Sequence, residues 1–425
     1  MTRRAPAGVW VLALVAIVVT LSATAAAKVK IAVTICCEQL DRHEWLMSTA
    51  EAYMKENPRI EIEPLLDVGI SKLTPMIAGG VAPDLIWTGQ SWGNQMGYFL
   101  PLTEFYAKNP AFVKDLVPGM VKGFSFNGVS YAIPFSASSR AVAFNAELLQ
   151  KAGTQPPSRE WTWNEALSMG KKLTRDTDGD GVPDTWGMVL NWQPWSFFAY
   201  GESIYTDDGQ GANIFQEAIL KATGIWLDVY SGKLGIMPSS IVGVDTSAGD
   251  LFTQGKLGFW DIGIFEVPFI RERTSFEWDV QEFPMLEHGG QMLRGGVWTG
   301  EGYGIYKDCK HPEEAMRFAQ FMLSRENLSR LADTGAIMPA SQSTLATSFL
   351  RTTQAPKNLK AFVNSLDYQM AAWAHPAFGN IMSQMFGPIW NQTSAHNGSI
   401  PVETLLEASQ KALQRALDDF WVTTK

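Results

Sequence analysis

Hydrophobic positions along this chain follow two periods, one typical of buried strands and one typical of helices. Residues 28–35 and 60–65 are rich in β-branched side chains and predict strands, whereas residues 45–57 have helical spacing and end at Pro58. Further strands are predicted at 84–87, 129–133, 141–144, 186–190, 257–260 and 303–306, and further helices at 71–78, 147–151, 213–230, 313–324 and 403–420. Because strands and helices alternate, the pattern predicts an α/β fold whose sheets are mixed but mostly parallel.

The region from residue 128 to residue 166 contains the clearest start and stop signals. Pro134 lacks an N–H donor, so we expect strand pairing to weaken there and the chain to change direction. Asn145 is placed to cap a short helix that ends at Gly153, and Thr162 is placed to begin the next helix. On periodicity alone, this order of strand, helix and helix fits any α/β protein.

The first 27 residues have the composition of a secretory signal peptide. Two arginines, at positions 3 and 4, precede an apolar run over residues 9–21, and Ala25–Ala27 forms a cleavage site before Lys28. The apolar run is too short for a comfortable membrane span, and no cysteine follows the cleavage site to accept a lipid. We therefore expect the mature protein to be periplasmic or secreted.

Length, charge and cysteine content narrow the class of protein. The mature chain would have 398 residues, which is too long for one compact core and predicts two lobes. Loss of Arg3 and Arg4 takes the formal net charge from −9 to −11, and no polybasic segment remains, so nucleic acid is not expected as a partner. The three cysteines exclude a disulfide scaffold, and the adjacent Cys36 and Cys37 are expected to be buried thiols.

Several motifs, taken in order, are similar to those of one family. In the region 128–166, an aromatic residue shortly before Ile-Pro, a small polar run, a Phe-Asn pair, a Lys-Ala-Gly stop and the sequence Trp-Thr-Trp-Asn-Glu follow one another. Similar segments along nearly the whole mature chain are Ala82–Ile86, Asp250–Phe259, Gly300–Ile305 and Lys310–Ala315. Together they resemble the extracellular solute-binding proteins of family 1, sugar receptors of ABC importers of the maltose-binding-protein type.

This resemblance implies a two-lobe periplasmic-binding-protein fold of type II, with the ligand cleft between the lobes. Lobe I would comprise residues 28–137 and 300–340, and lobe II residues 138–299 and 341–425. The chain would cross between lobes near residues 135–137, 298–302 and 338–341. The resemblance also implies a monomeric receptor, not an enzyme, that captures a carbohydrate or related polyhydroxylated solute by hinge closure and delivers it to ABC permease subunits. No cofactor would be required.

The expected ligand site combines aromatic rings with short polar side chains. A sugar ring has an apolar face that an aromatic ring covers, and its hydroxyl groups need fixed donors and acceptors. Ligands of open α/β sheets bind beyond the carboxyl ends of the strands. We therefore expect ligand contacts from Glu38, Gln90, Ser91, Trp92, Ser136, Ser138, Trp192, Trp195, Trp260, Asp261, Phe265, Trp298, Thr299, Gly300 and Glu301.

Some of these assignments rest on the resemblance. Residues on segments where family members commonly bind hydroxyl groups are Glu38, Gln90, Trp92 and Ser138. Phe265 stands where a stacking tryptophan is common in the family, and Trp260 or Trp298 could take over that role. For any single tryptophan, packing in the core is the alternative.

The segment Asp176–Asp184 matches the first half of an EF-hand calcium loop. Side-chain oxygens would come from Asp176, Asp178, Asp180 and Asp184, and a backbone carbonyl from Val182. The second half fails, because Gly187 occupies the position of the bidentate glutamate. The two alternatives are a structural Ca²⁺ site away from the cleft and an acidic turn between a helix and a strand.

Other functions stay open at this point. Gly89–Gly93 matches the G-x-S-x-G pattern, so Ser91 could be the nucleophile of a secreted hydrolase acting on a carbohydrate or an ester, although the motif follows only about three strands. A glycoside hydrolase would need two carboxylates across an aromatic cleft, and nothing marks such a pair. A receptor for a phosphodiester or a cyclitol would place a cation in the cleft, for which Arg140 and Arg294 are the nearest candidates.

Overall fold

Most strands of the protein belong to two sheets that the chain enters in turn. The structure, a computed structural model, describes residues 28–36, 40–89, 92–190, 195–206, 208–238, 247–333, 337–351, 353–368, 375 and 399–423. Its strands are β1 (Val29–Ile35), β2 (Ile60–Leu66), β3 (Leu85–Thr88), β4 (Ser125–Phe126), β5 (Val129–Ser130), β6 (Ile133–Ser138), β7 (Arg140–Asn145), β8 (Trp186–Val189), β9 (Leu257–Gly263), β10 (Trp278–Gln281), β11 (Leu286–His288), β12 (Gln291–Leu293), β13 (Thr299–Ile305) and β14 (Met338–Pro339).

The two large sheets mix parallel and antiparallel neighbours. The six-stranded sheet, here the first sheet, has the order β14-β6-β13-β3-β1-β2, and the four-stranded second sheet has the order β10-β7-β9-β8. Among these described strands, three neighbouring pairs are parallel and five are antiparallel. The predicted mixture is confirmed, but the predicted parallel majority is wrong. Parallel neighbours need a helical crossover connection, and β6, β13 and β14 do not reach their neighbours in this way.

Helices cover the sheets, and seven of the seventeen described helices were predicted. They are α1 (Leu40–Glu56), α2 (Ile70–Ala78), α3 (Trp92–Gln95), α4 (Thr103–Lys108), α5 (Pro110–Asp115), α6 (Pro118–Gly123), α7 (Ala146–Lys151), α8 (Trp163–Leu173), α9 (Trp195–Phe198), α10 (Glu217–Tyr230), α11 (Ala248–Thr253), α12 (Val267–Arg273), α13 (Pro312–Met322), α14 (Arg325–Ala332), α15 (Gln342–Thr347), α16 (Lys360–Ser365) and α17 (Val402–Thr423). A search of the described residues for a helix with the length and apolar character of a membrane span finds none.

The predicted helix caps are confirmed, whereas one helix begins later than predicted. The side chain of Asn145 accepts a hydrogen bond from the N–H of Leu148 at 3.0 Å, and Thr162 forms a reciprocal capping box with Glu165. The helix predicted over 213–230 begins at Glu217. The N–H groups of Ile214 and Phe215 donate to the side chain of Gln410 in α17, at 2.5 and 3.2 Å, and these bonds hold the segment before α10 against α17.

Strand β6 continues through Pro134, so the predicted change of chain direction there is wrong, whereas the predicted weakening of the pairing is seen as an irregularity in the ladder. Gly302 of β13 stands opposite Pro134, and Glu301 stands opposite Ser136, so Phe135 is an extra residue in β6. Such a bulge tolerates a proline because the ladder is already interrupted at that point. The bulge also brings Ser136 and Glu301 directly opposite each other.

The chain changes sheets between β6 and β7. Only Ser139 separates the two strands, and its buried hydroxyl donates to the carbonyl of Phe362 in α16 at 2.7 Å. β6 pairs with β13 and β14 in the first sheet, and β7 pairs with β9 and β10 in the second. The lobe boundaries given above stay a prediction.

The state of the cysteines differs from the expectation. Cys36, directly after β1, is disulfide-bonded, so the prediction of a thiol at this position is wrong. Cys309 is free, and burial raises the pKa of its thiol to about 12. Cys37 lies outside the described residues. A disulfide is compatible with the oxidising environment that a secreted protein meets.

Glu282 joins three separate segments beside the second sheet. Its side chain is 1% exposed, and its Oε1 accepts hydrogen bonds from Arg159 Nε at 2.8 Å and from Asn364 Nδ2 at 2.9 Å. Arg294, on the segment that leads into β13, lies 3.4 Å from Oε2. Removal of this charge would leave Arg294, whose side chain is 12% exposed, without its carboxylate partner.

We therefore expect Glu282→Gln to lower the free energy of unfolding by ~3 kcal/mol, measured by urea denaturation. Glu287→Gln is the matched control, because that carboxylate lies nearby on β11 and its side chain is 60% exposed. An equal loss in both variants would contradict a special role for the buried group.

Candidate functional site

The paired strands β6 and β13 present a row of polar side chains on one face. Glu301 stands opposite Ser136, and Thr299 stands opposite Ser138. Because side chains alternate along a strand, these four share one face, and Gly300 lies between them on the other. We call Ser136, Ser138, Thr299 and Glu301 the crossing face. Sequence reasoning selected all four, and the structure brings them together.

The carboxylate of Glu301 is held from two directions. Arg42 Nη1 donates to both of its oxygens, at 2.8 and 2.9 Å, and Ser136 Oγ donates to Oε2 at 2.7 Å. The side chain of Arg42 is 6% exposed and that of Glu301 is 24% exposed. Sequence reasoning missed Arg42. The available signal was a charged residue in the first turn of a helix that follows the carboxyl end of β1.

Asp261 lies in the second sheet as part of a buried ion pair. Arg140 Nε donates to its Oδ1 at 2.6 Å, and Nη2 donates to its backbone carbonyl at 2.8 Å. The side chain of Asp261 is 1% exposed. Burial raises the pKa of the neighbouring Glu266, and Arg140 opposes that shift. The predicted ligand contact of Asp261 stays a prediction, but its carboxylate is engaged with Arg140 here.

Phe265 is the predicted aromatic contact with the most open ring among those whose side chains the structure describes. It lies in a short 3₁₀ turn, Ile264–Glu266, directly after β9 and is 49% exposed. A Cβ at Gly263 would come within 2.5 Å of the Phe265 ring, so the ring occupies space that only glycine leaves clear at this position. Trp260 is 8% exposed and packs against Phe252 with ring centroids 5.9 Å apart.

Trp298 is 2% exposed and lines a cavity. This cavity, of about 720 Å³, is also lined by Phe126, Tyr205, Tyr368 and His375, and by none of the crossing-face residues. The predicted ligand contact of Trp298 stays a prediction.

The remaining predicted contacts are only partly described. Outside the described residues lie Glu38, Gln90, Ser91 and Trp192. Trp92 begins α3 and Trp195 begins α9, so the segment 89–93 is helical from residue 92. Along the chain Trp92 follows β3 and Trp195 follows β8, and ligands of open α/β sheets bind beyond the carboxyl ends of such strands.

Three acidic residues of the predicted calcium loop lie close together on the surface. Side-chain oxygens of Asp176, Asp178 and Asp184 all lie within 4.8 Å of one another. The N–H groups of Gly181 and Gly179 donate to Asp176 and lower the pKa of its carboxyl. Asp180 accepts from the N–H of Val182 at 2.7 Å, and its carboxylate is not part of the group.

Comparison with known proteins identifies the family. The model of the bacterial extracellular solute-binding protein family matches residues 40–328, which is more than half of the chain. The protein therefore belongs to the bacterial extracellular solute-binding proteins, as the motifs predicted.

Individual relatives are distant in sequence and similar in fold. The diacetylchitobiose binding protein DasA of Streptomyces coelicolor is 22% identical over 372 residues, which cover 85% of this chain and 80% of that protein. The sugar-binding protein MalE of Xanthomonas citri has a TM-score of 0.78 at 18% identity, over 93% of this chain and 99% of that chain. An ABC substrate-binding protein of Listeria monocytogenes in complex with cycloalternan has a TM-score of 0.75 at 22% identity, over 92% and 99%. These likenesses confirm the predicted periplasmic-binding-protein fold of type II.

Proposed function

We propose that this protein is the substrate-binding component of an ABC importer for a carbohydrate or a related polyhydroxylated solute. The observation that carries the proposal is the crossing face, a row of hydroxyl and carboxylate groups on the two strands by which the chain passes between the sheets. Such groups match the hydroxyl rim of a sugar, and the exposed ring of Phe265 at the end of β9 matches its apolar face.

The mechanism is capture and release rather than catalysis. A ligand that contacts the crossing face and Phe265 together favours a closed arrangement of the lobes over an open one, by the difference in its affinity for the two. The closed form then docks on permease subunits in the membrane. A leader over residues 1–27 would direct the chain to the periplasm or the medium, where it would act as a monomer.

The relatives support this ligand class. One is a diacetylchitobiose binding protein, one is a sugar-binding protein, and one was solved with cycloalternan. A phosphodiester is less well supported, because both candidate cations are paired with carboxylates, Arg140 with Asp261 and Arg294 with Glu282. A cyclitol shares the hydroxyl chemistry of a sugar and belongs in the same screen.

Purified protein is expected to bind at least one of maltotriose, N,N′-diacetylchitobiose, cycloalternan and myo-inositol, as measured by isothermal titration calorimetry and by a change in tryptophan fluorescence. The bound compound should be recovered unchanged on chromatography. Ser91→Ala should retain binding, since a receptor needs no nucleophile. Turnover of a sugar that the Ser91→Ala variant loses would favour the hydrolase, and absence of binding across the screen would count against the proposed function.

Phe265→Ala is expected to raise the Kd for the bound sugar by about tenfold, because the exposed ring would no longer cover the apolar face of the ligand. Phe215→Ala is the matched control, since Phe215 is 45% exposed on the segment before α10. An unchanged Kd for Phe265→Ala, or the same loss in both variants, would exclude Phe265 as a specific ligand contact.

We also propose that the loop Asp176–Asp184 holds a structural Ca²⁺ ion. The clustered oxygens of Asp176, Asp178 and Asp184 support this, and their exposure leaves room for water to complete the shell that Gly187 does not supply. The ion would stabilise the turn between α8 and β8 and would take no part in ligand binding.

Millimolar CaCl₂ is then expected to raise the Tm by about 2–5 °C relative to EDTA, because the ion would bind the folded loop and not the unfolded chain. The double variant Asp176→Asn with Asp178→Asn should lose this shift. Asp208→Asn, in another exposed loop where the carboxylate accepts from Thr206, should keep it. An equal shift with MgCl₂, or a shift that survives the double substitution, would contradict the site.

A further inference from the structure

Arg42 contacts the crossing face although no sequence motif marks it. Its Nη1 atom reaches both carboxylate oxygens of Glu301, and Ser136 donates to one of them. A carboxylate has about four lone-pair sites, so these contacts leave acceptor capacity on Glu301. Because that side chain is 24% exposed, the remaining capacity is accessible from outside.

The pair of Arg140 and Asp261 shows a fully internal contact for comparison. Arg140 places both Nε and Nη2 on Asp261, whose side chain is 1% exposed. Arg42 instead places one nitrogen on Glu301, and its buried Nε has no acceptor among the described residues. Burial of a charge against a partner that stays open to solvent gains little stability. Stability alone therefore does not account for the contact between Arg42 and Glu301.

Three separate elements meet at Glu301. Arg42 comes from α1, Ser136 from β6 and Glu301 from β13. An unrestrained glutamate side chain loses rotamer freedom when a ligand immobilises it, and this cost reduces affinity. Because Arg42 and Ser136 already hold the carboxylate in one orientation, a ligand that binds there does not have to order it.

We propose that Arg42 is a positioning residue of the ligand site, which fixes the carboxylate of Glu301 to accept a hydrogen bond from a hydroxyl group of the ligand. This inference rests on the proposed function and names the chemistry of one ligand contact. A carboxylate accepts hydrogen bonds and repels other anions. On a polyhydroxylated ligand the donor at Glu301 is therefore a hydroxyl group, and a carboxylate or phosphate at that point of the ligand is selected against.

The test compares Kd values for four variants, Arg42→Met, Arg42→Lys, Glu301→Gln and the double variant Arg42→Met with Glu301→Gln. The probe is whichever of maltotriose, N,N′-diacetylchitobiose, cycloalternan and myo-inositol the wild-type protein binds most tightly. Arg42→Met and Glu301→Gln are each expected to raise the Kd by about tenfold, and the double variant by little more than either. Arg42→Lys should recover part of the loss, because it keeps the charge without the planar guanidinium.

Two further measurements separate positioning from a general effect on folding. Arg317→Met is the control, since Arg317 is an exposed arginine that pairs with Glu314 at 3.1 Å, and it should leave the Kd unchanged. The Tm of each variant is measured without sugar, and that of Arg42→Lys, which keeps a cation beside Glu301, should stay close to the wild-type value. If Arg42→Met does not fold, the comparison of Arg42→Lys with Glu301→Gln still reports the effect.

An unchanged Kd for Arg42→Met or Arg42→Lys, while Glu301→Gln weakens binding, would overturn the inference and leave the proposed function intact. Losses that multiply in the double variant would also overturn it, because the two residues would then act independently. Absence of binding by the wild-type protein would be a failure of the proposed function, and the inference would fall with it.

Discussion

The antiparallel pairing of β6 with β13 is the contact on which the architecture depends. Both strands lie in the first sheet, yet β6 continues into β7 of the second sheet after a single residue, Ser139. A pair of hydrogen-bonded strands is stiffer than a loop, so the connection between the two sheets has a defined position. The bulge at Phe135 has a second effect, since it places Ser136 opposite Glu301 and so creates the crossing face.

Buried carboxylates hold together the strands and segments next to this connection between the sheets. Asp261 ties β7 to β9 through Arg140, and Glu282 ties β10 to the segment that leads into β13. The desolvation of such charges offsets most of their attraction, so their contribution to the net free energy of folding is small. Their contribution to geometry is larger, because each carboxylate accepts only partners in a narrow range of directions. These pairs thereby fix β7 against β9, and the end of β10 against the segment that leads into β13.

Local signals explain how much of the fold could be predicted. The caps at Asn145 and Thr162 depend on residues within one helical turn, and the sequence predicted both. The segment before α10 is held by a glutamine about 200 residues away in α17, and no local pattern indicates that contact. The prediction of mostly parallel strands was wrong for the same reason, since β13 and β14 join a sheet whose first strand begins at residue 29. Periodicity reports burial along one segment, not its neighbours.

The residues of the candidate site show the same distinction between local signals and contacts from distant segments. Ser136, Ser138, Thr299 and Glu301 were predictable because they lie on short motifs at the crossings, and the strands place them side by side. Arg42 was not predictable, since 259 residues separate it from Glu301. Asp261 fits the pattern of a polar residue on a strand beside an aromatic one, but that pattern does not distinguish a ligand contact from half of an internal ion pair.

The crossing face and Phe265 would interact with different parts of a ligand. On the proposed function, the first sheet would supply fixed hydrogen-bond partners, whose contribution depends on the orientation of each ligand hydroxyl. The segment after β9 would supply the exposed ring of Phe265, whose contribution depends on the apolar area it covers. On the proposed function, only a molecule with both an apolar face and a hydroxyl rim stabilises the closed form from both sides. Binding to one side alone leaves the open and closed forms nearly equal in affinity, and a ligand without differential affinity shifts no equilibrium. Selectivity for a polyhydroxylated ring therefore follows from the requirement for closure as well as from individual contacts.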